Sequence, residues 1–250
     1  MKKMMYRDKL EQYYHFLSDK YGEDRLLGVF LYGSQNYGLA GEGSDVDAYA
    51  IYVPTLDEVA RLDKPVSTTF EFECGNVTIK DVRLMCQMWK KQGINFIEIL
   101  FTEYYLINQK YEDSFNTVRE FREYIATYDM QQAVKSAIHS ALNGLKGPYV
   151  TSKQYINGMR TLSFIQNYIL GRSYINCIVV PDNRREQWKE IKFSNEVYEC
   201  GGVRKTKVDY LKADLEDLLE FTVDDDTPNW VKEEIDNVLI GFCKECLLNL

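Results

Sequence analysis

The sequence predicts an α+β protein: an α/β domain over residues 1–110, a β-sheet with flanking helices, followed by an all-helical domain over 111–250. Two observations carry that division. Short apolar or alternating runs bounded by Gly, Pro and Asn turn signals, the mark of strands, are confined to the front of the chain. Past about residue 110 they give way to apolar residues recurring at helical spacing.

In chain order, Leu10, Tyr13, Tyr14, Phe16, Leu17 and Tyr21 predict an amphipathic helix over 5–22. Leu26–Tyr32 is a continuous apolar run, as in a buried strand, and it stops at Gly33-Ser34. Gln35–Ala40 is expected to form a short helix with Ser34 near its N-cap. Gly41–Ser44 reads as a turn and Asp45–Val53 as a second strand, closed by Pro54. Thr55–Leu62 reads as a short connecting helix. Alternation over 68–73, the Gly75-Asn76 turn signal and alternation over 77–81 predict a hairpin spanning 67–81. A helix is expected from Val82 to Lys91, ended by Gln92-Gly93. Helical patterns then recur at 111–126, 129–145, 152–171, 207–221 and 228–248, with breaks at Lys146-Gly147-Pro148 and Asp224-Asp225-Asp226-Thr227-Pro228.

Composition bounds the function. At 250 residues, 45% hydrophobic and 27% charged, the chain can bury a large core, which excludes wholesale disorder. An excess of 38 acidic over 30 basic residues leaves −8, a surface that repels polyanions in bulk, so nucleic acid would have to be met through a local basic patch. No run of about 18 apolar residues predicts a membrane span, and the N-terminus lacks the apolar stretch and cleavage site of a secretory signal. The 6 scattered cysteines, Cys74 among them, read as reduced thiols, which points to the cytoplasm. Cys243-Lys244-Glu245-Cys246 has the spacing of a zinc half-site, but it lies in a helical apolar pattern without a second ligand pair. His15 and His139 each fall inside a helical pattern and read as structural.

Chemistry concentrates in Gly33-Ser34 and Asp45-Val46-Asp47. On a strand, residues two apart share a face, so Asp45 and Asp47 would present two carboxylates side by side. Like charges held that close call for a cation, and magnesium, which takes oxygen ligands and completes its shell with water and phosphate, suits them. Gly33 lets the backbone approach a ligand, and a strand running into a helix N-terminus offers amide donors to phosphate. A site of this kind needs a third carboxylate from a neighbouring strand. Asp81, at the end of 77–81, is the best placed, with Glu71 and Glu73 competing from the preceding arm.

The pattern Tyr32-Gly33-Ser34…Asp45-Val46-Asp47 resembles the nucleotidyltransferase superfamily typified by DNA polymerase beta. Asp81-Val82-Arg83-Leu84…Gly93-Ile94-Asn95-Phe96-Ile97-Glu98-Ile99-Leu100-Phe101 is similar, more narrowly, to a predicted bacterial and phage branch sometimes encoded beside RNA ligases. The resemblance covers most of 27–101 and only faintly the helical back. It implies a nucleotidyltransferase-type mixed sheet and magnesium-dependent transfer of a nucleoside monophosphate from an NTP to a hydroxyl, with pyrophosphate released. It further implies two magnesium ions, replaceable by manganese, held by Asp45, Asp47 and Asp81, the last also poising the attacking hydroxyl. Gly33 and Ser34 would hold the terminal phosphates. The acceptor it leaves open, RNA, a small molecule or a protein side chain, and a non-catalytic nucleotide-binding module stands as the alternative.

In the back half, Lys153 and Arg160 are seven residues apart and fall near one helix face, where two cations would neutralise a triphosphate. Arg184-Arg185 and Arg204-Lys205-Thr206-Lys207 read as solvated basic loops rather than as substrate guides.

Overall fold

The computed structural model describes residues 2–73, 75–202, 205–220 and 227–249, and for 2–5 the backbone only. Cys74, Arg204 and the Asp224-Asp225-Asp226 break lie outside the described residues. The chain is a mixed α+β protein. Its elements run α1 (Lys2–Tyr21), β1 (Leu26–Tyr32), β2 (Asp47–Tyr52), α2 (Leu56–Ala60), β3 (Ser67–Phe72), β4 (Gly75–Asp81), α3 (Val82–Lys90), α4 (Ile94–Ile97), β5 (Tyr105–Ile107), α5 (Glu112–Glu120) and α6 (Arg122–Ala126). They continue with α7 (Met130–Gly144), β6 (Tyr149–Thr151), α8 (Ser152–Tyr168), α9 (Tyr174–Ile178), α10 (Asp182–Lys192), β7 (Val197–Glu199), α11 (Lys207–Asp217) and α12 (Asn229–Leu248). Among the described residues no helix is long and apolar enough to cross a membrane.

These elements gather into two compact units. One comprises Met1–Gln35, Glu42–Tyr128 and Thr227–Leu250; the other comprises Asn36–Gly41 and Asp129–Asp226. The expected boundary near residue 110 is therefore corrected, and the physical reason is aromatic packing. Phe115 of α5 meets Phe30 of β1 with ring centroids 4.6 Å apart, and Phe242 of α12 meets Trp89 of α3 at 6.0 Å. Both helices bury large rings within the first unit, so the end of the chain returns to it.

The first unit is built on a five-stranded mixed sheet of order β3-β4-β2-β1-β5. Pairs β1/β2, β1/β5 and β3/β4 are antiparallel, while β2/β4 is parallel. One sheet face packs Val29, Leu31, Ala48, Ala50, Val77 and Ile79 against Leu10, Tyr13 and Leu17 of α1. Both the hairpin over 67–81 and the connecting helix are present; α2 starts with a capping box between Thr55 and Glu58.

The second unit is not all helical. A short antiparallel ribbon pairs β6 with β7, α9 fills a stretch that carried no expectation, and Arg184-Arg185, expected in a loop, lie instead on α10. Three residues per strand are too few for alternation to register in the sequence. Where a helix over Gln35–Ala40 was expected, the chain makes a turn to Gly38 and then runs without regular structure. Gly38 sits at φ +78, the Tyr37 carbonyl accepts from the Val180 N–H (3.1 Å), and the Leu39 carbonyl accepts from Lys192 Nζ (3.0 Å). Carbonyls bonded outward in this way are lost to a helical ladder.

Candidate functional site

Register brings the two halves of the sequence pattern together. Tyr32 of β1 is paired with Asp47 of β2 in an antiparallel ladder, so the chain leaves one strand at Gly33 where it enters the next at Asp47. The Gly33–Ser34 corner and the acidic pair thus share one end of the sheet. Gly33 has φ +101, in the left-handed region, and a Cβ there would meet nothing nearer than Gln35 Oε1 at 3.9 Å. Backbone conformation, not lack of room, requires the glycine.

Val46, between the two acids, is the anchor. Its side chain is buried, and its carbonyl accepts from the Tyr13 hydroxyl at 2.8 Å. The Gly75 backbone lies so close that a Cβ on Gly75 would stand 2.3 Å from the Val46 oxygen. With Val46 held from both sides, Asp45 is exposed and Asp47 half-buried. Asp45 precedes the strand, so alternation orients Asp47 alone; Gln35 Nε2 donates to the Asp45 carbonyl. Asp47 Oδ1 accepts the Asn76 N–H at 3.1 Å.

Asp47 shares its sheet face with Tyr49. The Tyr32 and Tyr49 rings stack with centroids 4.3 Å apart, and Phe96 lies 4.7 Å from Tyr49. The two phenols hydrogen-bond to each other. Burial, first, and the negative charge of Asp47 push the Tyr32 hydroxyl up to about 12. Burial and the neighbouring Tyr32 raise Tyr49 as well, so both remain protonated at neutral pH.

Glu98 also acts on both phenols, and the sequence pattern assigned it no role. It is 1% exposed, and its Oε1 accepts the Gly33 N–H at 2.7 Å. Its segment is held by Trp89 Nε1 donating to the Phe96 carbonyl (3.0 Å) and Arg119 Nε donating to the Leu100 carbonyl (3.2 Å). The signal that would have found it is an acid inside the apolar run Phe96–Phe101, since a buried carboxylate demands a partner.

Asp81 does not join this site. In the parallel β2/β4 ladder it is paired with Tyr52, five residues beyond Asp47, or about 16 Å along the strand. It lies fully buried, caps α3 by accepting the Arg83 N–H at 2.9 Å, and is bridged by the Arg83 guanidinium at 2.6 Å. Expecting it beside Asp47 overlooked the direction of β4: with β2 and β4 parallel, the end of one strand cannot meet the start of the other. The β4 residue beside Asp47 is Asn76, and Glu71 of β3 pairs with Asn76 on the far side, exposed at the same sheet end.

Lys153 and Arg160 belong to the second unit, on α8. Lys153 is exposed; the Arg160 guanidinium stacks 3.8 Å from the Tyr37 ring centroid. Cys243 and Cys246 lie in α12, and burial raises both thiols above the ordinary value, as expected of helix packing. Cys86 is buried opposite, its thiol 3.9 Å from the Leu239 carbonyl.

Among the described residues no group of three or more His, Cys, Asp or Glu side chains is disposed to hold a metal. Asp45 and Asp47 share one end of the sheet, Asp45 before the strand and Asp47 at its start. They fall short of the three-carboxylate set expected for two ions. The Gly33 N–H, expected to face phosphate, is committed to Glu98, and no helix of useful length begins at Ser34. No protein-family model matches the chain, and no curated protein matches it.

Proposed function

We propose that the first unit is a magnesium-dependent nucleotidyltransferase of the kind typified by DNA polymerase beta, moving a nucleoside monophosphate from an NTP to a hydroxyl. One observation carries the reading: the Tyr32–Asp47 pairing that sets a glycine-serine corner beside the Asp45-Val46-Asp47 segment at a sheet end. In the reaction the acceptor hydroxyl oxygen bonds to the α-phosphorus and gives up its proton to solvent, the bond to the bridging oxygen breaks, and pyrophosphate departs with that electron pair. Asp45 and Asp47 would hold magnesium, which when bound supplies charge neutralisation to the triphosphate. Ser34 would hold the terminal phosphates. Asp81 has no part in it.

A second reading is favoured by Asn76, the neutral amide that stands beside Asp47 in β4: a module that binds an NTP without transferring it. Incubating the full chain with α-labelled ATP, CTP, GTP and UTP, magnesium, and either RNA or a lysate separates the readings. Label in RNA or in protein supports transfer and identifies the acceptor class. Saturable binding without label transfer supports the second reading. Neither binding nor transfer overturns both.

A further inference from the structure

We propose that Glu98 is the positioning residue of the Gly33–Ser34 corner, acting through its hydrogen bond to the Gly33 amide rather than by touching a substrate; this rests on the nucleotide reading above. Glu98 and Gly33 are 65 residues apart in the chain and meet at 2.7 Å. A carboxylate that is 1% exposed is costly to keep in an apolar segment unless it is well bonded. What it bonds is the amide of a residue at φ +101, the conformation that turns the chain out of β1. The contact therefore fixes the direction in which Ser34 leaves the sheet. Glu98 is itself held through its neighbours by Trp89 and Arg119, so the corner is referred to the packed side of the unit rather than left to the loop.

The inference separates acceptor from charge. Glu98→Gln keeps an oxygen for the Gly33 N–H; Glu98→Ala removes it. Amide hydrogen exchange of the full chain, read at Gly33 by NMR, should show protection in the wild type and in Glu98→Gln and lose it at least tenfold in Glu98→Ala. The Kd for magnesium–ATP should rise about tenfold in Glu98→Ala, the scale of one charge-assisted hydrogen bond, and less than threefold in Glu98→Gln. Where transfer is measurable, KM should carry the change and kcat should not. Circular dichroism of both variants confirms folding; if Glu98→Ala does not fold, Glu98→Asp, with a carboxylate one methylene shorter, replaces it with the same expectations. Wild-type protection at Gly33 with Glu98→Ala, or with unchanged nucleotide affinity in that variant, overturns the inference. A wild-type protein that binds no nucleotide overturns the functional reading instead, and the positioning role is then decided by Gly33 exchange alone.

Discussion

Asp47 and Asp81 stand at opposite ends of one parallel strand pair, and their surroundings differ in kind. Asp47 is half-buried, shares a sheet end with the exposed Asp45, and accepts the Asn76 backbone N–H at 3.1 Å. Asp81 is sealed: no side-chain surface to speak of, an Arg83 guanidinium at 2.6 Å, and a helix N-terminus to cap. Residue type is the same at both ends. Strand direction and local pairing decide which carboxylate is available for chemistry and which is spent on the fold.

The largest effect expected of this difference is at the open end. Asp45→Ala and Asp47→Ala should each lower nucleotide turnover by about a thousandfold while leaving the unfolding midpoint nearly unchanged, since neither group is fully buried. Turnover assays beside thermal melts check it. Asp81→Ala should do the reverse. It removes a cap and leaves Arg83 without its partner, for a loss of about 2–4 kcal/mol in urea unfolding, with nucleotide affinity at the wild-type level. Loss of nucleotide binding in Asp81→Ala without loss of stability would restore it to the site.

The same contrast explains what the sequence displayed. The strands flanking the corner, the 67–81 hairpin and the helix after it were legible because each has a local period and a turn signal. That the acidic pair would face the corner was expected from the motif taken whole, since the antiparallel pairing of Tyr32 with Asp47 closes a long connection with no hairpin signal. The place of Asp81 was not, because it depends on β4 running parallel to β2, a long-range choice with no local mark. Glu98 was hidden for a related reason: its partner lies 65 residues upstream. The short ribbon β6/β7 and the return of α12 to the first unit likewise rest on contacts distant in sequence.

Gly75 sharpens the comparison at intermediate cost. It is the point where β4 presses on the backbone between the two site acids, with Val46 atoms at 2.3 and 2.7 Å from a would-be Cβ and φ +139 besides. Gly75→Ala should destabilise by about 1–3 kcal/mol. Because the displaced atoms are those of Val46, nucleotide affinity should fall with it, unlike Asp81→Ala. Unchanged affinity at reduced stability would show that Val46 does not set the acids. Gly33→Ala meets open space and should cost only its backbone conformation, about 1–2 kcal/mol.

The smallest effect lies with the phenol pair beneath Asp47. The folded Tyr32 hydroxyl holds its proton to about 12, against an ordinary value of 10.0, because it is buried and faces Asp47 and Glu98. Folding thus favours the neutral phenol, and the stability it contributes is complete below pH 10 and disappears as pH climbs from 10 through about 12. Other buried tyrosines add to that slope, so the measurement is a difference. Urea unfolding of wild type and Tyr32→Phe at steps between pH 9 and 12 should give curves whose separation shrinks across that interval, phenylalanine having no proton to lose. A separation independent of pH would mean that Tyr32 titrates alike folded and unfolded, and the Asp47 end of the sheet would then be far better solvated than its stacked rings imply.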